Sequence, residues 1–362
     1  MEIIFYQAEC GDAARLRFKG KDSVMRNVLV DSGHKSTFRY ILAQEINSIN
    51  HNAEKIDLWI LTHIHDDHIG GVKKYIEAIH KGEFKDIVTS WYYNPPRIYD
   101  NSKSNPQSTE ISSVMGFDSG DYIYRYLNSI NKIANQDITN DLGEIDFWGL
   151  KVTILGPSPQ KLANLRRKYF DHESLPLEKN ENESISEATK SKEYDYHIKL
   201  EDFNLDEWSQ DDSIENGSSI SLVTEYNGSR VLWLADSHPS DIVEALSKLG
   251  YSKENKITCD WVKVTHHGSK GNNSNALYNL IECKNYLMSV NGENIHCLPM
   301  KDCVARILRN PNRPQTSKYN FYFTHDNQTL RRIFEKDGQD VFKRFNFEVH
   351  YLSDGKYLKI SL

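Results

Sequence analysis

Cysteine is scarce in this 362-residue chain: Cys10, Cys259, Cys283, Cys297 and Cys303 are odd in number, scattered and never spaced as CxxC. That pattern excludes a disulfide framework and a thiolate cage for a structural zinc ion. The five read as small buried hydrophobes, with Cys297, beside His296, the one able to approach a metal. Long apolar runs are missing as well. No window reaches the roughly eighteen uninterrupted apolar residues of a membrane span, so no membrane partner is expected. The opening MEIIFYQAECGDAARLRF shows no charged leader followed by an apolar stretch and a cleavage site, and the chain is read as cytoplasmic. There is no repeat of fixed period, which excludes a solenoid. Positive charge is not in excess either: the formal net charge of −7 argues at first sight against a nucleic-acid partner. That charge is uneven, because residues 170–216 carry 15 acidic residues against 4 lysines, a net of −11, and the remainder carries 40 basic against 36 acidic, a net of +4.

What is present describes a folded globular protein, with 38% hydrophobic and 26% charged residues, 20 Tyr and 14 Phe. Apolar and β-branched runs such as RNVLVDSG, IDLWILTH, LKVTILGPS and SSISLVTEYNGSRVLWLAD alternate with helical patterns at 37–49, 67–80, 240–249 and 301–308. This is an α/β chain, and EYNGSR predicts a hairpin, so its sheets are mixed rather than purely parallel. Two stretches break the rhythm. Residues 94–121 are rich in Pro, Ser, Asn and Gly and read as a long loop; the acidic residues 171–216 lack periodicity and read as a lid or a poorly ordered insertion.

The densest chemistry is LTHIHDDHIGG, residues 61–71, directly after the apolar run IDLWIL. Imidazole and carboxylate are the ligands that divalent transition metals prefer. At a strand end, His63 and His65 share a face and can address one ion. A helix starting near Asp66 redirects Asp67 and His68 to a second ion. Two ions about 3.5–4 Å apart are the usual arrangement for hydrolysing phosphate esters and related bonds.

His63-Ile64-His65-Asp66-Asp67-His68, with Thr62 before it and Gly70-Gly71 after it, matches HxHxDH and resembles the metallo-β-lactamase fold. Further fragments follow in that family's order. NVLVDSG resembles its first motif, which implies that Asp31 supports the ligands from behind. VLWLADSHPSDI resembles its Leu-Leu-Gly-Asp-Ala strand, which implies that Asp236 bridges both ions, with Ala235 in place of the usual Gly. WVKVTHHGSKGNNS, ENGSSISLVTEY and AECGDAARLRF resemble segments of a subset that includes the hydrolase domain of DNA-uptake competence proteins. The resemblance covers most of residues 1–310. It implies an αββα sandwich of two mixed β-sheets flanked by helices, built as one domain over 1–362 with insertions at about 94–121 and 171–216. Where the subset carries a His before Pro, this chain has Leu298, and His296 two residues earlier is the candidate substitute.

The expected metal ligands are therefore His63, His65, Asp67, His68, Asp236, His266 and His296, holding two divalent ions, Zn or Mn. Adjacent residues on a strand point oppositely, whereas a turn at Gly268 brings both His266 and His267 inward; His267 is then a ligand or a substrate contact. Asp67, His266 and His267 are the expected catalytic residues, and Ser269 and Lys270 the expected contacts to an anionic substrate. Other histidines read as ordinary, with His238, two residues after Asp236, the one to follow.

The implied activity is metal-dependent hydrolysis by a hydroxide that two ions activate. A nuclease is the preferred form, on the resemblance and on basic clusters at NLRRKYF, RILRNPNRP and LRRIFEKDGQDVFKRF. The acidic insertion is then a candidate brake, released by a regulatory protein or a protease, and a homo-oligomer is compatible with all of this. The rivals are a small-molecule hydrolase acting on a lactone, lactam, thioester or cyclic nucleotide, and a non-catalytic subunit with a degenerate site.

Overall fold

The computed structural model describes residues 1–97, 117–174, 193–314, 316–353 and 355–362, without the side chains of 117, 118 and 170–174. Strands β1 (Glu2–Tyr6), β2 (Ala13–Lys19), β3 (Met25–Asp31), β4 (Ile56–Leu61) and β5 (Val88–Tyr93) come first. Then follow β6 (Glu144–Phe147), β7 (Leu150–Gly156), β8 (Ser221–Tyr226), β9 (Ser229–Trp233), β10 (Ile257–Thr258), β11 (Trp261–Lys263) and β12 (Ile281–Glu282). The last are β13 (Asn285–Met288), β14 (Tyr319–Phe323), β15 (Phe347–Tyr351) and β16 (Tyr357–Ser361). One sheet has the order β16-β1-β2-β3-β4-β5, the other β15-β14-β13-β11-β9-β8-β7-β6. Both are mixed: antiparallel hairpins on one side give way to parallel pairing at β3/β4 and at β9/β11.

Alternation along the strands explains the layers. In β1, Ile3 and Phe5 enter a core between the sheets with Leu58, Ile60, Leu222, Val231 and Trp233, while Ile4 and Tyr6 face the helices on the other side. In β4, Trp59 and Leu61 pack under the Asp66–His80 helix, against Ile69, Val72 and Tyr75. A strand covered on both faces needs apolar residues at every position but a few, which is why IDLWIL is nearly continuous. The second sheet is covered by the Pro239–Lys248 and Lys301–Leu308 helices through Ile242, Leu246, Val304 and Leu308. The result is the expected αββα sandwich. The hairpin is also where it was expected: Asn227 (φ 51°) and Gly228 (φ 83°) make the left-handed two-residue turn that joins β8 to β9. No helix among the described residues is long and apolar enough to cross a membrane.

Two expectations are corrected. Of the loop predicted at 94–121, residues 98–116 lie outside the described residues, but Phe117–Ser129 is a helix, with Ile123 and Leu127 fully buried. The Ser- and Gly-rich approach to that helix hid its apolar spacing. The acidic stretch is not one unstructured run either. The Pro159–Ser174 helix extends into it, residues 175–192 lie outside the described residues, and residues from 193 on pack against the second helical layer. Leu200 is fully buried, and the Asp195 carboxylate accepts the Lys301 and Asp302 backbone N–H groups at 2.8 Å each, capping the Lys301–Leu308 helix. Glu201 pairs with Arg344 at 3.1 Å and Glu215 with Lys168 at 2.8 Å. These three carboxylates are thus tied into the fold.

His325 gives the fold a pH dependence. Burial holds its imidazole down at about 4, although it hydrogen-bonds the Val290 backbone and lies near Glu9; Thr324 Oγ1 sits 3.0 Å from its Nδ1. A histidine depressed below its ordinary 6.5 binds its proton more readily unfolded, so its contribution is complete above pH 6.5 and lost as pH falls towards 4. That window is worth at most about 3 kcal/mol. His325→Phe should flatten the pH dependence of urea midpoints between 6.5 and 4 relative to the parent; parallel curves would refute this account.

Candidate metal centre

The donors gather at one edge of the sandwich, where both sheets deliver loops. β4 ends at Leu61, and the extended residues after it bring His63 Nε2 to 3.1 Å from His65 Nδ1. The Asp66–His80 helix then begins with His65 at its N-cap and with Asp66 and Asp67 in the first turn, where the helix dipole favours carboxylates. Gly71 lets this helix press onto the turn after β3, since a Cβ there would lie 2.3 Å from the Ser32 carbonyl oxygen. From the second sheet, the turn after β9 passes through Ala235 at φ 46° and presents Asp236. Alanine here adopts the left-handed geometry that glycine takes most readily, which accounts for the glycine expected at this position. His266 (φ 44°) and His267 (φ 53°) are both left-handed as well. That turn resolves the question left open by the sequence, because it sends both imidazoles inward.

The geometric centre is one oxygen. Asp236 Oδ2 lies 3.8 Å from His63 Nε2, 3.4 Å from His68 Nε2, 3.6 Å from His266 Nε2 and 3.8 Å from His267 Nε2. Asp67 Oδ2 is 3.4 Å from His267 Nε2 and 3.7 Å from His68 Nε2. Donor atoms of Asp67, His68, Asp236 and His267 all fall within 4.8 Å of one another. Both Asp236 oxygens, His68 Nε2 and His267 Nε2 are buried without a hydrogen-bond partner. Orphaned buried donors are costly, and a cation between them removes the cost, so these residues fit divalent metal. Electrostatics agree. Burial works to raise the Asp236 and Asp67 carboxyls, but the neighbouring imidazoles outweigh it and hold both well below the usual range. Burial lowers His63, and His68 and His65 beside it push it further down, towards the neutral form that metals bind.

Each ring is oriented from behind. Asp31, itself at φ 56°, accepts Thr62 N at Oδ1 and Thr62 Oγ1 at Oδ2, both at 2.8 Å, and takes His68 Nδ1 at 2.8 Å. The Ser289 carbonyl accepts His267 Nδ1 at 2.8 Å, and Asn272 Oδ1 holds His266 Nδ1 at 2.7 Å. With protons on Nδ1, all three rings turn Nε2 towards Asp236.

His63, His65, Asp67, His68, Asp236, His266 and His267 are therefore brought together, with Asp31 behind His68. His296 is not within that group. It is half-buried, within electrostatic reach of His266, Asp67, His267 and His65 and pulled down first by burial, then by His266. Its loop is fixed by Asn294, whose Oδ1 accepts the His296 and Leu298 backbone N–H groups. Leu298 is buried. Ser269, an expected substrate contact, is fully buried, its Oγ without a hydrogen-bond partner. Lys270 is 42% exposed and leans towards Asp302, 3.8 Å away. His238 is buried beside Lys161 Nζ at 3.0 Å, outside the donor cluster. Cys10, not Cys297, feels Asp67, Asp236 and Asp12, although burial is what chiefly raises its thiol. The side chain of His172 lies outside the description.

Two residues were not foreseen. Asp12 and Lys263, 7% and 4% exposed, form an ion pair between the sheets, with Asp12 Oδ1 3.6 Å from His267 Nδ1. The signal was available in CDWVKVT, where a lysine interrupts an otherwise buried strand. The backbone beside Asp12 matters too: Asp12 N donates to the Asp67 carbonyl at 3.2 Å, and a Cβ on Gly11 would lie 2.2 Å from that same oxygen.

Gly11→Ala should therefore displace the residue that carries Asp67, costing about 1–3 kcal/mol and weakening metal binding. Urea unfolding and equilibrium dialysis would reveal it; unchanged values in both would refute the close approach. Chelator treatment should lower the melting temperature by several degrees and added Zn²⁺ or Mn²⁺ restore it, since an ion at 100 times its Kd stabilises by about 2.7 kcal/mol. Melting curves indifferent to metal would contradict the fit.

Residues 23–153 match the family model of the metallo-beta-lactamase superfamily. No curated protein matches the chain. The matched stretch contains Asp31, His63, His65, Asp67 and His68, and the fold joins to it Asp236, His266 and His267 from beyond its end. The chain carries a metallo-β-lactamase superfamily domain, with the layered sheets and the histidine-aspartate cluster of a metal-dependent hydrolase.

Proposed function

We propose that the protein hydrolyses phosphodiester bonds with two divalent ions, Zn²⁺ or Mn²⁺, and that nucleic acid is its substrate. The observation that carries the reading is Asp236 Oδ2, within 3.8 Å of four imidazole Nε2 atoms. A carboxylate so placed could serve two ions, for which His63, His65 and His266 would be available to one and Asp67, His68 and His267 to the other. Bound there, the ions would supply Lewis acidity and a water acidified towards neutral pH.

The chain's own groups do the rest. Asp67, 24% exposed, is more open than Asp236, at 1%, and is placed to orient a water through its carboxylate. His296 lies within electrostatic reach of the cluster, and burial favours its neutral form. The resemblance of WVKVTHHGSKGNNS to competence-type hydrolases supports a nucleic-acid substrate.

One observation favours the second reading, a small-molecule hydrolase. Part of the expected phosphate-binding clusters is turned inward or internally paired, while Arg167, Lys336 and Lys343 are exposed. Arg306 and Arg313 are buried and donate to backbone carbonyls, Arg166 pairs with Asp137 and Arg331 with Asp326. A non-catalytic subunit has the least support, since a decayed site has no reason to keep its orphaned donors converged.

Incubating the protein with plasmid, single-stranded DNA and RNA in Mn²⁺, Zn²⁺ or EDTA, beside His65→Ala and Asp236→Ala, tests the proposal. Cleavage should require metal and fall at least a hundredfold in both variants. Metal-dependent hydrolysis of a lactone or thioester with no cleavage of nucleic acid would decide for the second reading, and cleavage surviving both substitutions would sink the first.

A further inference from the structure

The acidic segment ends in residues that reach the metal centre from behind. Asp211 is 1% exposed, and its own N–H donates to the Gly271 carbonyl at 3.0 Å. Its carboxylate accepts three donors: Ser213 N at 3.1 Å on Oδ1, and Asn216 Nδ2 at 2.6 Å and Asn272 Nδ2 at 3.0 Å on Oδ2. Asn272 is fully buried in the turn after the histidine pair. Its Nδ2 also faces the Asp236 carbonyl at 3.0 Å and the Ser237 carbonyl at 3.4 Å.

Three acceptors around one end of the Asn272 amide leave no choice about which end is the nitrogen. Oδ1 must then face His266 Nδ1, 2.7 Å away. An oxygen there can only accept, so the imidazole proton sits on Nδ1 and the free electron pair on Nε2, the atom 3.6 Å from Asp236 Oδ2. A flipped amide would turn its NH₂ group towards Nδ1 and favour the opposite tautomer, whose Nε2–H cannot bind an ion. Asp211 is the charged member of this chain, and a charge-assisted bond is roughly twice as strong as a neutral one. The same short stretch carries Glu215, buried and within electrostatic reach of His65.

We propose that Asp211 is a positioning residue for the metal centre: by fixing the amide of Asn272 it sets the tautomer of His266 and aims Nε2 at the ion shared with His63 and His65. The end of the acidic segment is thus a buttress of the site. This rests on the donor cluster being a metal centre, but the tautomer can be read without any metal.

The test uses Asp211→Asn in the full chain. Proton-nitrogen correlation spectra of the metal-free protein, labelled at its 14 histidines, report which ring nitrogen of His266 carries the proton, with His266→Gln supplying the assignment. The parent should show Nδ1–H alone and the variant a measurable share of Nε2–H beside it, since the Asp236 and Ser237 carbonyls still face the Asn272 amide. In parallel, dialysis against Zn²⁺ should show one of two ions bound about 10–100-fold more weakly, the other within twofold. A merely structural role for Asp211 would lower the melting temperature and leave both readouts unmoved. A folded Asp211→Asn with His266 still Nδ1–H and both affinities unchanged overturns the proposal. Should Asp211→Asn fail to fold, Asp211→Ser replaces it, with the same two outcomes read the same way. A tautomer exchange in a protein whose parent binds no Zn²⁺ would support the relay and sink the metal reading, so the two failures are told apart.

Discussion

Everything at the active edge follows from the cost of burying Asp236. A carboxylate that is 1% exposed and has no hydrogen-bond donor on either oxygen is tolerable only among positive charge. Four imidazoles surround it, and imidazoles alone make a poor counter-charge, since those that protonate repel one another. Cations answer both problems together. The backbone around them accepts strain for this purpose: Asp31, Ala235, His266 and His267 all occupy left-handed conformations, each a cost of order 1 kcal/mol or more that regular structure elsewhere must offset.

The first half of the site could be read from the sequence because its donors are contiguous. His63, His65, Asp67 and His68 sit within six positions at the junction of a strand and a helix, where local geometry alone decides which way each side chain points. Asp236 and His266 were legible only through resemblance, because nothing local to them announces a partner some 170 residues away in the chain. His267 depended on backbone dihedrals that strand periodicity does not encode. Asp12, Asp211 and Asn272 escaped for a different reason: a buried polar residue that supports a ligand looks, in sequence, like any polar residue in a turn. The layers were easier, since alternation in β1 and the unbroken run in β4 state which faces are covered.

Charge counting was less informative. Of the basic clusters, Arg306, Arg309 and Arg313 stitch the second helical layer to its loops by donating to the carbonyls of Leu205, Leu200 and Leu308, whereas Arg167, Lys336 and Lys343 are exposed. The acidic stretch was read as a lid or a poorly ordered insertion, yet Asp195 caps a helix and Glu201 and Glu215 pair with Arg344 and Lys168. Net charge over a window of sequence says nothing about pairing across the fold, and pairing is what removes charge from the surface.

The split of the ligands between the two sheets also sets an order of events during synthesis. His63, His65, Asp67 and His68 leave the ribosome well before Asp236, and at 5–20 residues per second the delay is on the order of ten seconds or more. For that interval the nascent chain displays an unfinished chelate whose remaining ligands do not yet exist. An ion caught early would be held by half a coordination sphere and exchange freely, so the identity of a bound metal would be decided only once the later sheet docks.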